Sequence, residues 1–293
     1  PVDATEPAPP VEIEGQLVRA LSTGELLLAG ATSGTIGPAA AVIGAGLSFA
    51  DDLVPDAWWE RVPWERVENL WSNLAVIGVL VLVVALLAWL MAIGGTVITY
   101  YGFELRRSDE HLFVQHGLLD KRRVTIPVRR IQAVRMDEGI LRQPFGYVSL
   151  GYTSAGQRGQ SESGSGTLFP FLRRRDVHAV LEAVAPEFAV DPDASALNPL
   201  PPRALPRYIV GGTIMTLLFA LLVIGGFLWW RDDVPWWGYL PLALVPFRIA
   251  TGWLAYRDAG WSLGERVLVL RSRDLARSTL VTTRRRIQHR SLT

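Results

Sequence analysis

The sequence predicts an integral membrane protein in which α-helical spans alternate with a strand-built domain closed by one helix. Three observations carry this. Charged residues make up 19% of the 293 residues, below the roughly 25% usual for soluble domains. The apolar residues gather in uncharged blocks long enough to cross a bilayer. Between two of these blocks the apolar period falls to two over several short runs, then returns to helical spacing once. Composition also excludes classes. With no cysteine there is no disulfide framework, thiolate metal site or cysteine nucleophile. A net charge of +1 speaks against a nucleic-acid partner, which would call for a strong basic excess.

In chain order, residues 1–25 read as a linker, Pro-rich over Pro1–Pro10. Residues 26–49 are uncharged but hold five Gly and one Pro. They form a weaker span whose small residues suit close helix packing, with a re-entrant or peripheral segment as the alternative. Residues 50–73 form an outer loop. Residues 74–93 are twenty uncharged positions without proline, which at about 1.5 Å per residue cover the ~30 Å hydrocarbon core. A buried core helix would rarely lack a polar face over that length. Residues 94–186 form the strand-built domain and 187–207 a Pro-rich linker. Residues 208–230 are a second uncharged block, 231–233 an outer turn. Residues 234–256 form a last span despite Pro235, Pro241, Pro246 and Arg248. No basic amino-terminal region precedes the first apolar block, so it is not a signal peptide.

Charge sets the expected orientation. The middle segment 94–207 carries fifteen Lys/Arg and the tail from Arg257 nine, whereas the loop 50–73 carries two Arg against six acids. Basic residues collect on the cytoplasmic side, so the middle segment and the tail are expected inside a multi-pass plasma-membrane protein. Eight tryptophans, Trp58, Trp59, Trp64, Trp71, Trp229, Trp230, Trp236 and Trp237, fall at the opposite edge, where indole rings suit the headgroup layer.

Within 94–186, alternation at Phe103/Leu105, Leu112/Val114, Val124/Ile126/Val128, Ile131/Ala133 and Tyr147–Tyr152 predicts strands. Residues 154–167 are rich in Gly, Ser and Gln and read as a loop. Val177, Val180, Leu181 and Val184 recur at helical spacing before Pro186, giving one closing helix. Several short strands followed by one helix fit a bent antiparallel sheet, or a partly open barrel, capped at one end.

An internal repeat accompanies this pattern. Arg129-Arg130-Ile131-Gln132 recurs as Arg285-Arg286-Ile287-Gln288, and Val267–Leu270 matches His111–Val114 without a gap. Gly260–Leu263 matches Gly102–Leu105 if two residues are dropped. Both copies follow an apolar span. Here the chain resembles the bacterial pleckstrin-homology-like (PH-like) membrane proteins of the YdbS/YdbT type. The resemblance rests on Tyr100-Tyr101-Gly102-Phe103-Glu104-Leu105, Gly117-Leu118-Leu119, Ile126–Gln132, Leu141-Arg142-Gln143-Pro144-Phe145-Gly146 and Leu168-Phe169-Pro170-Phe171-Leu172. It implies a PH-like fold, a strongly bent antiparallel sheet closed by a carboxy-terminal helix, often several times per chain and always cytoplasmic. On that comparison the second copy, 257–293, is truncated after its Arg-Arg-Ile-Gln element. The chain is then expected to be a fragment of a multi-domain member, with a poorly packed tail.

Chemistry is sparse. His111 and His116 lie five apart in a strand region and face opposite ways, which is wrong for a shared metal. There is no P-loop and no G-x-S-x-G element. Asp51, Asp52 and Asp56 read as a solvated acidic loop rather than a cation site. Accordingly no catalytic residue, metal or cofactor is expected. Arg248 is the one charge inside a span. It reads as a residue reaching the inner interface, with an ion path as the alternative. The best candidate site is the basic cluster Lys121, Arg122, Arg123, Arg129, Arg130 and Arg135, echoed by Arg284, Arg285, Arg286 and Arg290. Cations near an anionic leaflet each contribute about 1 kcal/mol. Ordinary positive-inside charge, with ion pairs to Asp120, Asp137 and Glu138, is the competing account. Related eukaryotic folds bind phosphoinositides or peptides, which does not carry over to these residues one by one. The expected function is a non-enzymatic membrane scaffold whose PH-like domains bind a protein, a peptide or an anionic lipid headgroup. The alternative is a transport or export component regulated by those domains.

Overall fold

The computed structural model describes residues 15–33, 74–154, 165–190, 197–231 and 234–286. The chain divides into two compact units, 1–130 and 131–293. Most of the expected first span and all of the expected loop 50–73 lie outside the described residues.

Among the described residues the first unit holds a four-stranded antiparallel sheet and two helices. The strands are β1 (Gln16–Ala20), β2 (Glu104–Arg107), β3 (His111–His116) and β4 (Arg122–Pro127), in that spatial order. The helices are α1 (Thr23–Ala31) and α2 (Leu74–Tyr100). The expected linker 1–25 therefore contains β1 and the start of α1. Ser22 caps α1: its hydroxyl accepts from the Glu25 amide and the Glu25 carboxylate accepts from the Ser22 amide, a reciprocal box that satisfies two end donors. Small residues set the α1/α2 crossing. A Cβ on Gly30 would stand 2.9 Å from the Ile93 Cα, Ala88 and Ala92 are buried, and Trp89 Nε1 donates to Ala31 O at 3.0 Å. The alternation read in the sequence holds, with Leu105, Leu112, Val114 and Ile126 buried.

The second unit contains a seven-stranded sheet, β7-β6-β5-β11-β10-β9-β8. Its first strands are β5 (Ile131–Glu138), β6 (Tyr147–Ser154) and β7 (Ser165–Arg173), followed by the helix α3 (Val177–Val184). Then come β8 (Asn198–Pro199), the helices α4 (Leu205–Arg231) and α5 (Leu240–Asp258), and β9 (Gly260–Leu263), β10 (Val267–Arg273) and β11 (Arg277–Thr283). All four residues expected to form the apolar face of α3 are buried. The α4–α5 pair is antiparallel: Gly252 comes within reach of the Tyr208 carbonyl, where a Cβ would stand 2.8 Å away, and Gly238 lies near Phe227 at the other end.

Two expectations are corrected here. Residues 94–186 do not form one sheet, because β2–β4 lie in the first sheet and β5–β7 in the second. Nor is the tail poorly packed. β11 pairs antiparallel with β5 over six positions, from Arg277 opposite Glu138 to Thr282 opposite Ala133. On one face Val134, Met136, Thr279, Val281 and Val269 are all buried, so β10 and β11 extend the core begun by β5–β7. Strand pairing is a non-local choice that period-two patterning leaves open.

The repeat is also tighter than the sequence suggests. His111 faces Pro127 as Val267 faces Thr283, and Arg107 faces Leu112 as Leu263 faces Leu268. Each pair is displaced by the same 156 residues, so no residue is dropped and Gly260 corresponds to Glu104. β1 flanks β2 as β8 flanks β9. The copies differ in burial. Leu105 and Val114 are buried, whereas their counterparts Trp261 and Leu270 are 42% and 40% exposed.

Candidate membrane-surface site

The turn between β3 and β4 is built against the end of α2. The Gly117 amide donates to the Tyr101 carbonyl at 2.9 Å and the Leu118 amide to the Ile98 carbonyl at 2.9 Å. His116 Nδ1 lies 2.7 Å from the Thr99 carbonyl, so that nitrogen carries the proton and donates. The His116 ring lies beside Phe103 and Tyr100, which gives it a structural task. Gly117 has φ +116°, and a Cβ there would meet the Asp120 carbonyl, so the turn depends on glycine. The chain thus bends back beside the last turn of a helix whose segment Val81–Tyr100 is long and apolar enough to cross a membrane.

What this turn presents follows from its position. Leu118 and Leu119 are 47% and 83% exposed, and Lys121, Arg122 and Arg123 follow at once, all exposed. Arg122 pairs with Asp120 at 3.2 Å, with both side chains largely in solvent. At the other end of β4, a single 3-10 turn (Val128–Arg130) carries exposed Arg129 and Arg130. Arg129 reaches Glu110 at 2.8 Å, again in solvent. Exposed pairs of this kind contribute little and leave the cations available. Lys121, Arg123 and Arg130 make no ion pair among the described residues.

Arg135 is the one member of the predicted cluster carried by the other sheet. It lies on β5 in the second unit, with its Nε 2.8 Å from Asp137. Both line a shallow depression of about 200 Å³ on the outer face of β5–β7 with Ser149, Gly151, Thr153 and Thr167. Glu138, expected as a partner of the cluster, instead takes Arg174 and Arg277. Of the echoing arginines, Arg284 and Arg285 are exposed in a 3-10 turn after β11, and Arg290 lies outside the described residues. The sequence singled out the cations as a site but Gly117-Leu118-Leu119 only as a motif, since nothing local says whether Leu118 and Leu119 face a core or a surface.

Arg248 sits in α5 with its guanidinium against Gly212 of α4, where a Cβ would collide with it. Gly212 is one helical turn from Tyr208, which meets Tyr256 edge-on, and the Tyr256 hydroxyl donates to the Leu200 carbonyl at 3.2 Å. The guanidinium thus packs across the hairpin against α4, level with Arg248 itself. It makes no ion pair among the described residues.

Residues 62–188 match the bacterial PH domain family. Over 267 residues, 90% of this chain, the sequence is 31% identical to the UPF0699 transmembrane protein YdbT of Bacillus subtilis (strain 168). Both matches support the YdbS/YdbT-type family of bacterial PH-like membrane proteins. The chain spans about half the length of that relative, 51%. No solved structure matches it. A membrane setting explains the outward side chains of the long helices. Leu222, Trp229 and Trp230 of α4 are among the most exposed apolar residues, which is costly in water and ordinary in lipid. α5, with Pro246 and Arg248, is the more polar member of its hairpin.

Proposed function

We propose that this PH-like protein is a non-enzymatic, multi-pass scaffold of the plasma membrane whose sheet units lie on the cytoplasmic surface and engage anionic lipid headgroups. One observation carries the reading: the β3–β4 turn is fastened to the last turn of α2 and presents an exposed Leu-Leu tip followed by three exposed cations. At the level where α2 leaves the bilayer, Leu118 and Leu119 enter the acyl boundary and Lys121, Arg122 and Arg123 meet headgroup phosphates. Apolar burial and charge act together there, since each basic residue close to an anionic surface adds about 1 kcal/mol. The PH-like units then sit at a fixed height over the membrane, where partner proteins or peptides find them.

The test uses the whole chain in lipid nanodiscs of phosphatidylcholine with a minority of phosphatidylglycerol. Spin-labelled lipids report which species the protein holds in its boundary layer. The wild type is expected to prefer phosphatidylglycerol, and reversal of Lys121, Arg122 and Arg123 to Glu to abolish that preference. Equal selectivity in both, or none in the wild type, removes the lipid reading. Leu119→Ser is expected to weaken the preference less than the charge reversal, because it leaves the cations in place.

A further inference from the structure

We propose that the open edge of β4 is a docking site for an antiparallel strand of the β5 type, carried on another half-module β5–β6–β7–α3 of this same repeat. The inference starts from the equivalence of the two meanders. β2–β3–β4 and β9–β10–β11 share strand order, register and a flanking short strand, with a constant displacement of 156 residues. In the second meander the outer edge of the last strand is occupied, for β11 takes β5 along its length. In the first meander the corresponding strand, β4, is the last of its sheet. Its outward amides and carbonyls have no strand partner among the described residues. An unpaired edge of that kind is a template for strand addition.

The occupant follows from the same register. The β11 residue Arg277 stands opposite Glu138 and lies 3.5 Å from its carboxylate. By the displacement of the repeat, its counterpart beside β4 is Lys121. A strand with an acid at the Glu138 position would therefore meet a cation again, and its Val134 position would fall opposite Thr125, the counterpart of Val281. The β5 of this chain is already committed to β11, so a second copy of the chain in its described state has no such strand to offer. The curated relative is about twice as long as the stretch matched here, of which 51% is covered, so a chain of that length has room for a further half-module. Successive repeats would then be joined edge to edge by shared sheets, each half-module completing the meander that follows it. The docking shares Lys121 with the lipid reading, but its ladder uses the backbone edge of β4, which the disulfide and exchange experiments read without lipid.

The absence of cysteine makes the register directly testable. In the full chain in detergent, Val134→Cys with Val281→Cys is the reference pair, expected to close under mild oxidation because paired Cα atoms in an antiparallel ladder lie about 4.5–5.5 Å apart. A second copy of residues 131–190 is then joined by a flexible linker ahead of the full chain. Cysteine is placed at its Val134 position and at Thr125. The expected result is a disulfide formed at a rate within about tenfold of the reference pair, and slowed by at least that factor when the β4 cysteine is moved inward to Phe113 on β3. Closure of the reference pair alone overturns the proposal, as does equal closure from Phe113. Disulfide-linked dimers of the unfused Thr125→Cys chain overturn the choice of occupant in favour of a second copy. Hydrogen exchange gives an independent reading on the unmodified chain. The outward amides of β4 are expected to exchange much faster than the corresponding amides of β11, and equal protection means that the edge is already closed and the proposal fails.

Discussion

Replacing Glu138 by Gln is expected to lower the stability of the second unit by about 3–5 kcal/mol, the usual cost of removing one partner from a buried ion pair. Glu138 ends β5 and is nearly inaccessible. Arg174 Nη1 lies 2.7 and 2.8 Å from its two carboxylate oxygens. Arg277 reaches it at 3.5 Å and also bonds Asp258, the last residue of α5, at 2.9 Å. Arg273 bonds the same Asp258 oxygen. The network thus links β5, the segment before α3, the β10–β11 hairpin and the end of α5. Without the carboxylate charge, Arg174 and Arg277 keep theirs in a largely dry site. Thermal unfolding of the full chain in detergent, followed by circular dichroism, reads the loss. Arg129→Gln, which breaks the exposed pair with Glu110, serves as the control and is expected to cost less than about 1 kcal/mol. A Glu138→Gln shift no larger than the control would show that the network does not hold the unit together.

The same network gives an acid limb. Burial by itself would raise the Asp258 carboxyl, but hydrogen bonds from Arg273 and Arg277 and their charges outweigh it and hold it below the usual range. Its folded pKa is depressed, so its contribution is complete above the ordinary aspartate range and is lost as pH falls below it. No loss is expected from this group on the alkaline side. Asp258→Asn is expected to flatten that acid limb.

Val281→Asp is expected to cost several kcal/mol and to detach β11 from β5. Val281 is fully buried, opposite Val134 on one side and Val269 on the other, so a carboxylate there loses water and gains only apolar neighbours. Hydrogen exchange should then rise along Ala133–Glu138 as well as along Arg277–Thr282. Leu270→Asp, on the exposed opposite face of β10, is expected to change little. If both variants were equally mild, the tail would be the loosely held appendage that the repeat comparison suggests rather than a part of the core.

Much of this was legible in local pattern. Val177, Val180, Leu181 and Val184 announce α3 because a 3.6-residue period needs no knowledge of the partner. Ser22 and Glu25 spell the cap of α1 in the sequence itself, although the linker reading of 1–25 passed over it. The cations at 121–123 and 129–130 are visible as charge. What they lie beside is not, because the hydrogen bonds from Gly117 to Tyr101, just past α2, and from Leu118 to Ile98 of α2 join residues far apart in local pattern. Arg135 illustrates the limit: six positions after Arg129 in sequence, it belongs to the other unit and lines a depression on β5–β7.

By itself the sequence determined where the long apolar helices lie, which residues alternate in strands, that one helix follows β7, and that a meander recurs. Those are one-dimensional properties, set by transfer of side chains out of water and by the fixed repeat of each backbone form. Only the tertiary structure decided that β5 leaves the strands before it in sequence and takes β11 as its neighbour. Backbone hydrogen bonding is the same for every antiparallel pair, so the choice among partners is made by which faces and charges fit when the chain is folded. Here Val134 against Val281 and Glu138 against Arg277 make that choice.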